Sequence, residues 1–178
     1  IDAGNTTLAT DQRGEGRPAG AADDIGAFES HACDDDAWTV SGQDALKASI
    51  ECFNAKTTPG TYTITFVDTI PLTITLPAID NGTSGAELVI EGGGRGLGAN
   101  GDLFPGGNRA ILVNADTKVT INDLEITEGK VVGTEPGGAI RNLGDLILNR
   151  CSVLFSRSEN QGAGIRNEGT MAINDSTI

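Results

Sequence analysis

Three features predict the fold class of this 178-residue chain. They are a segment that repeats, a two-residue slip of phase inside each strand-like stretch, and a composition rich in Gly but poor in aromatics. Residues 137–153 (GGAIRNLGDLILNRCSV) overlie residues 162–178 (GAGIRNEGTMAINDSTI) at a constant offset of 25. A looser copy, VTINDLEI at 119–126, overlies LILNRCSV at 146–153 with an offset of 27. A fixed period of this size means that each repeat is one unit burying its apolar face against its neighbours. The slip appears as Val119 and Ile121, then Asn122-Asp123, then Leu124 and Ile126. Leu146/Leu148 and Met171/Ile173 are followed by the same kind of break, at Asn149 and Asn174. With Gly at 25 residues and aromatics at 4 %, turns outnumber large core side chains. Together these features predict an all-β chain: a right-handed parallel β-helix, or solenoid, with a short N-terminal capping α-helix.

Each element has a local reason. Residues 1–30 are rich in Gly, Asp and Arg, lack periodicity, and are expected to be mostly loop with one or two short strands. Residues 31–60 hold a linker and the capping helix. The linker carries Asp34-Asp35-Asp36. In the helix, expected over 41–55, Leu46, Ile50 and Phe53 fall on one stripe, Ser41 is the expected N-cap, and Asp44 stands three positions on. Thr58-Pro59-Gly60 stops it. From 61 to 178 strands dominate. TYTITFV (61–67) and LTITL (72–76) alternate with period 2, and ELVIEG (87–92) and AILV (110–113) follow. GGGRGLG (92–98) is expected to be a loop between coils, since the Lys-Ser/Thr of a phosphate loop is absent. Asn122, Asn149 and Asn174 are expected at corners, because Asn tolerates a left-handed backbone, with their amides hydrogen-bonded between successive coils. Ile121, Leu148 and Ile173 form the matching apolar ladder.

Charge narrows the partners. A net charge of -13 disfavours nucleic acid, which needs clustered cations to neutralise phosphates. No apolar run is long enough for a transmembrane helix, so no membrane insertion is expected of this segment. Cys33 and Cys52 flank one small unit and are a candidate disulfide, while Cys151 sits where the next repeat has Ser176 and is expected to be a buried thiol. Asp34, Asp35 and Asp36 are candidate calcium ligands, the alternative being a solvated acidic loop. No other cofactor is expected, and no catalytic residues are assigned. Asp123, Glu125 and Asp145, near Arg141, Arg150 and Arg166, are the carboxylates a polysaccharide-cleaving site would need, but their spacing suits alternating charges along a ladder. His31 stands alone in the linker. Asn5, Asn81 and Asn174 match the glycosylation sequon.

Residues 38–178 resemble the start of a bacterial surface β-helix domain of the CSLREA and polymorphic-outer-membrane-protein type. The residues that carry the likeness are WTV (38–40), DALKASIECFNA (44–55), TYTITF (61–66), ELVIEGGG (87–94) and the repeats at 137–178. Residues 1–29 are similar to the stretch that ends such a domain in choice-of-anchor proteins, through DQRG (11–14), RP (17–18) and DIGAFE (24–29). The resemblance implies an extracellular or cell-surface location and no general enzymatic activity. Its ending motif stands before its starting motif. This order implies a tandem array or a polymer, covalent or between chains, in which residues 1–30 complete a preceding unit and copies join head-to-tail through Asp11, Arg13, Asp24, Phe28 and Ile178. The expected function is thus a structural repeat of a surface fibre or adhesin. The alternatives are a carbohydrate-binding or polysaccharide-cleaving β-helix, or a monomeric adhesin passenger that contacts glycans or other cells.

Overall fold

The computed structural model describes residues 33–103 and 106–178. The chain divides between Asp35 and Asp36 into two units, and every element named below belongs to Asp36–Ile178. Strand β1 (Ala37–Val40) leads into helix α1 (Gln43–Ala55). Then come β2 (Gly60–Phe66), β3 (Ile70–Pro71), β4 (Ala86–Gly98), a 3-10 turn at Gly101–Leu103, β5 (Gly107–Asn108), β6 (Ile111–Val113) and β7 (Lys118–Thr127). The remainder comprises β8 (Lys130–Val131), β9 (Ile140–Asn142), β10 (Asp145–Asn149), β11 (Ser152–Leu154), β12 (Arg157–Ser158), β13 (Ile165–Asn167) and β14 (Thr170–Asn174).

Eight strands form a parallel sheet in the order β1-β2-β4-β7-β10-β14, with β3 beside β4 and β11 beside β7. A second, three-stranded parallel sheet runs β13-β9-β6. A third runs β12-β8-β5, in which β5 pairs with β8 antiparallel.

The fold-class expectation is therefore corrected. The structure is mixed, not an all-β right-handed β-helix. It combines a large parallel sheet, two small sheets, one of them with an antiparallel pair, and a 13-residue helix. The helix packs its apolar stripe into the core: Leu46, Ile50 and Phe53 belong to the same cluster as Tyr62, Ile64 and Ile90. Period-2 alternation reports strands and their register; it carries no information on hand or closure.

Local differences have equally local causes. The helix starts at Gln43, two residues after the expected start: Gly42, with extended backbone and no side-chain cap, precedes it, and its carbonyl accepts from Leu46 N–H at 3.0 Å. Asp44 thereby falls at the second helical position, one too early for a capping box on the observed cap, Gly42. LTITL yields no strand. The carbonyls of Leu72 and Ile74 instead accept from the amides of Asn100 and Asn108, and Thr73 is held by Gln43. GGGRGLG is strand, not loop, for it completes β4. Two extra residues are absorbed there, since Glu91 faces Asn122 while Arg95 faces Leu124. Gly93 and Gly94 take left-handed φ of 56° and 75°, and a Cβ on Gly92 would sit 2.4 Å from Asp123 O.

The core runs along the stack in register. Trp38, Ile64, Ile90, Ile121 and Leu148 occupy one line across β1, β2, β4, β7 and β10, and each is at most 4 % exposed. Burying such a side chain contributes roughly 1.5–3 kcal/mol. Outward-facing polar pairs tie the same strands together. Glu87 on β4 accepts from Lys118 Nζ at 2.9 Å and Thr120 Oγ1 at 2.8 Å on β7. The Lys118 hydrogen bond holds the Glu87 carboxyl below its ordinary 4.5, against a smaller opposing effect of burial. A depressed folded-state value gives stability that is present above the ordinary value and lost as pH falls through the folded one. Glu87→Gln should therefore flatten the acid limb of the stability profile, read as a smaller loss of urea midpoint between about pH 7 and about pH 3. An unchanged slope would rule this role out.

Candidate functional site

The asparagines expected at the corners form one line that leads to the open side of β14. Three asparagines occupy one register line. Asn122 Nδ2 donates to Glu91 Oε1, Asn149 Nδ2 to Asn122 Oδ1, and Asn174 Nδ2 to Asn149 Oδ1, each at 2.8 Å. The left-handed residue at each corner is the one after the Asn: Asp123 (φ 50°), Arg150 (φ 52°) and Asp175 (φ 49°). The expectation that Asn itself takes that conformation is corrected. Its amide serves the ladder, and the next residue bends the chain so that Ile121 and Leu124 both face inward.

Ladder and apolar line both reach β14. Its only strand partner among the described residues is β10. The Oδ1 of Asn174 accepts no hydrogen bond among the described residues. Ile173 continues the line of Ile121 and Leu148, both fully buried, yet is 47 % exposed. Ile178 is 54 % exposed. A parallel strand laid on β14 would find unpaired backbone groups, an amide acceptor and an uncovered apolar row.

A second ladder was not assigned from the sequence. Asn142 on β9, fully buried, donates to Asn167 Oδ1 on β13 at 2.7 Å. The signal lay in the repeat, where IRN recurs at 140–142 and 165–167. Arg141 and Arg166 are register partners, a like-charge pair bridged by Glu168 at 2.9 and 3.8 Å, with Glu135 also on Arg141 at 3.0 Å.

The other candidates fall elsewhere. Asp123 accepts from Arg150 Nε at 2.7 Å and Nη2 at 2.6 Å, which holds its carboxyl below the usual range. Asp36 is exposed and pairs with Lys56 at 3.0 Å. Asp34 and Asp35 are exposed too, and no group of three or more His, Cys, Asp and Glu side chains among the described residues is placed to hold a metal ion. Asn81 is buried and donates to Phe53 O at 2.6 Å and Lys56 O at 3.1 Å, so this sequon is inaccessible to a glycan. Cys33 and Cys52 are each disulfide-bonded. Cys151 is a free, buried thiol whose ionisation desolvation pushes up. Asp11, Arg13, Asp24, Phe28 and His31 lie outside the described residues. No helix among the described residues is long and apolar enough to cross a membrane.

No protein-family model, curated protein or solved structure matches the chain.

Proposed function

We propose that the chain is a structural repeat unit that joins copies of itself head-to-tail, the β14 edge of one copy receiving residues 1–29 of the next. The observation that carries this reading is the in-register continuation of one apolar line and one Asn ladder through β7, β10 and β14, a surface shaped to take one more parallel strand. An open parallel edge templates strand addition. The motif order supports the choice of occupant, since the ending motif of the resembled domain stands at 1–29, ahead of its starting motif. A contact between two different surfaces does not close on itself, so repetition gives a fibre. An extracellular or cell-surface setting fits this reading, and the disulfide-bonded Cys33 and Cys52 favour an oxidising compartment.

Sedimentation velocity and negative-stain microscopy of the purified chain test the proposal. Concentration-dependent filaments are expected. Raising ionic strength from about 0.01 M to about 0.15 M should favour them, because each copy repels the next through its charge of -13. Ile173→Asp should abolish assembly while leaving the monomer folded. Monodisperse monomer under all of these conditions, or filaments from the Asp variant, would overturn it.

A further inference from the structure

We infer that a cleft of about 450 Å³ on the flank of the stack, distinct from the β14 edge, binds a neutral oligosaccharide. Its walls come from three successive layers. Asn100, Glu128 and Phe155 each follow closely on a core strand, and all three take left-handed backbone, with φ of 48°, 58° and 54°. Asp102, Lys130 and Arg157 add charge to the lining, beside Leu103 and Gly129.

Phe155 is the decisive residue. Left-handed backbone suits Gly, Asn and Asp, and in a bulky residue it is a true outlier. Phe155 is also 84 % exposed, more than any other large apolar side chain described. Either feature alone is tolerable, but together they place two penalties on one position that Gly or Asn would avoid. Outliers of this kind concentrate at ligand sites. What Phe155 offers there is a flat ring standing free beside polar groups. An apolar C–H face of a pyranose stacks on such a ring, while its hydroxyls need neighbouring donors and acceptors.

Those neighbours are present. Among the described residues, the Glu128 carboxylate has no hydrogen-bond or ion-pair partner, and Asn100 uses its Nδ2 on Leu72 O, leaving Oδ1 to accept. Asp102 bridges Lys130, at 3.1 Å, and Arg157. Charge selects the class of glycan. Two carboxylates face two cations, so the cleft carries no excess of either sign. An acidic polysaccharide would have to displace Asp102 from both cations, whereas a neutral sugar exchanges hydroxyl hydrogen bonds with the groups as they stand.

Saturation-transfer NMR and titration calorimetry with neutral tetrasaccharides of glucose, mannose and N-acetylglucosamine, with tetragalacturonate as the acidic comparator, test this. At least one neutral tetrasaccharide should bind in the millimolar range or tighter. Phe155→Ala should weaken it about tenfold or more, and Glu128→Gln should weaken it measurably. Phe155→Gly should lose binding yet raise the thermal unfolding midpoint, because it relieves the backbone while losing almost no packing. Absence of any neutral ligand at millimolar concentration, affinity untouched by Phe155→Ala, tighter binding of tetragalacturonate, or a lowered midpoint for Phe155→Gly would each overturn the inference.

Discussion

Gly144→Ala should destabilise the protein by about 3 kcal/mol, far more than adding one methyl group ordinarily does. A Cβ at Gly144 would lie 2.4 Å from Thr117 O and 2.5 Å from Asn114 O. Both are backbone atoms of the preceding layer, so no side chain can swing aside. Thr117 O accepts from Asp145 N–H at 2.9 Å, and Gly144 O accepts from Thr170 N–H at 2.8 Å. Moving this loop outward therefore loosens the layers on both sides at once. Gly133→Ala is the matched comparison. Its φ of 76° is left-handed, but nothing lies within 4 Å of the added atom. Only backbone strain of about 1 kcal/mol remains there. The urea midpoints of the two variants, at unchanged m, measure the difference. A Gly144→Ala shift no larger than that of Gly133→Ala would show that the layers are loose enough to separate.

Register was legible in the sequence because it is written as self-similarity. Pairs aligned by the repeat, Ile140 with Ile165 and Leu148 with Ile173, are the pairs that meet across β9/β13 and β10/β14. The slip after each Asn was legible too, as an apolar pair spaced three apart, Ile121 and Leu124, both buried. What alternation could not convey was architecture. The same pattern serves a flat sheet or a closed one, and Leu46, Ile50 and Phe53 make one apolar stripe whether the helix caps a core or completes it. GGGRGLG reads as a loop because Gly is usually a breaker, whereas in the structure it admits a bulge against β7 where a Cβ would strike Asp123 O. The cleft was invisible for the opposite reason to the register. Asn100, Glu128 and Phe155 share a backbone conformation but no residue type, so nothing in the repeat marks them.

Asn142→Ala should cost about 3 kcal/mol, whereas Asn167→Ala, one repeat later, should cost about 1 kcal/mol. The two asparagines are register partners and differ in burial, Asn142 being fully buried and Asn167 exposed. Asn142 Oδ1 accepts from Gly144 N–H at 3.2 Å, and its Nδ2 donates to Gly144 O at 3.1 Å, Asn167 Oδ1 at 2.7 Å and Thr170 O at 2.9 Å. Alanine would leave Gly144 N–H without its acceptor in a buried position and withdraw the amide protons offered to Gly144 O, Thr170 O and Asn167 Oδ1. At Asn167, solvent replaces what the side chain supplied. Asn142→Asp separates hydrogen bonding from shape. A carboxylate there would keep the Gly144 N–H contact but face Gly144 O, Thr170 O and Asn167 Oδ1 with lone pairs. Burial and those oxygens would raise its folded-state pKa above the unfolded value, so its penalty is absent below the unfolded pKa and grows as pH rises. Measured against wild type at each pH, Asn142→Asp should thus be milder than Asn142→Ala in acid and harsher at neutral pH. A pH-independent gap between the two would mean that the side chain acts by filling space, not through the amide protons that join β9 to β13.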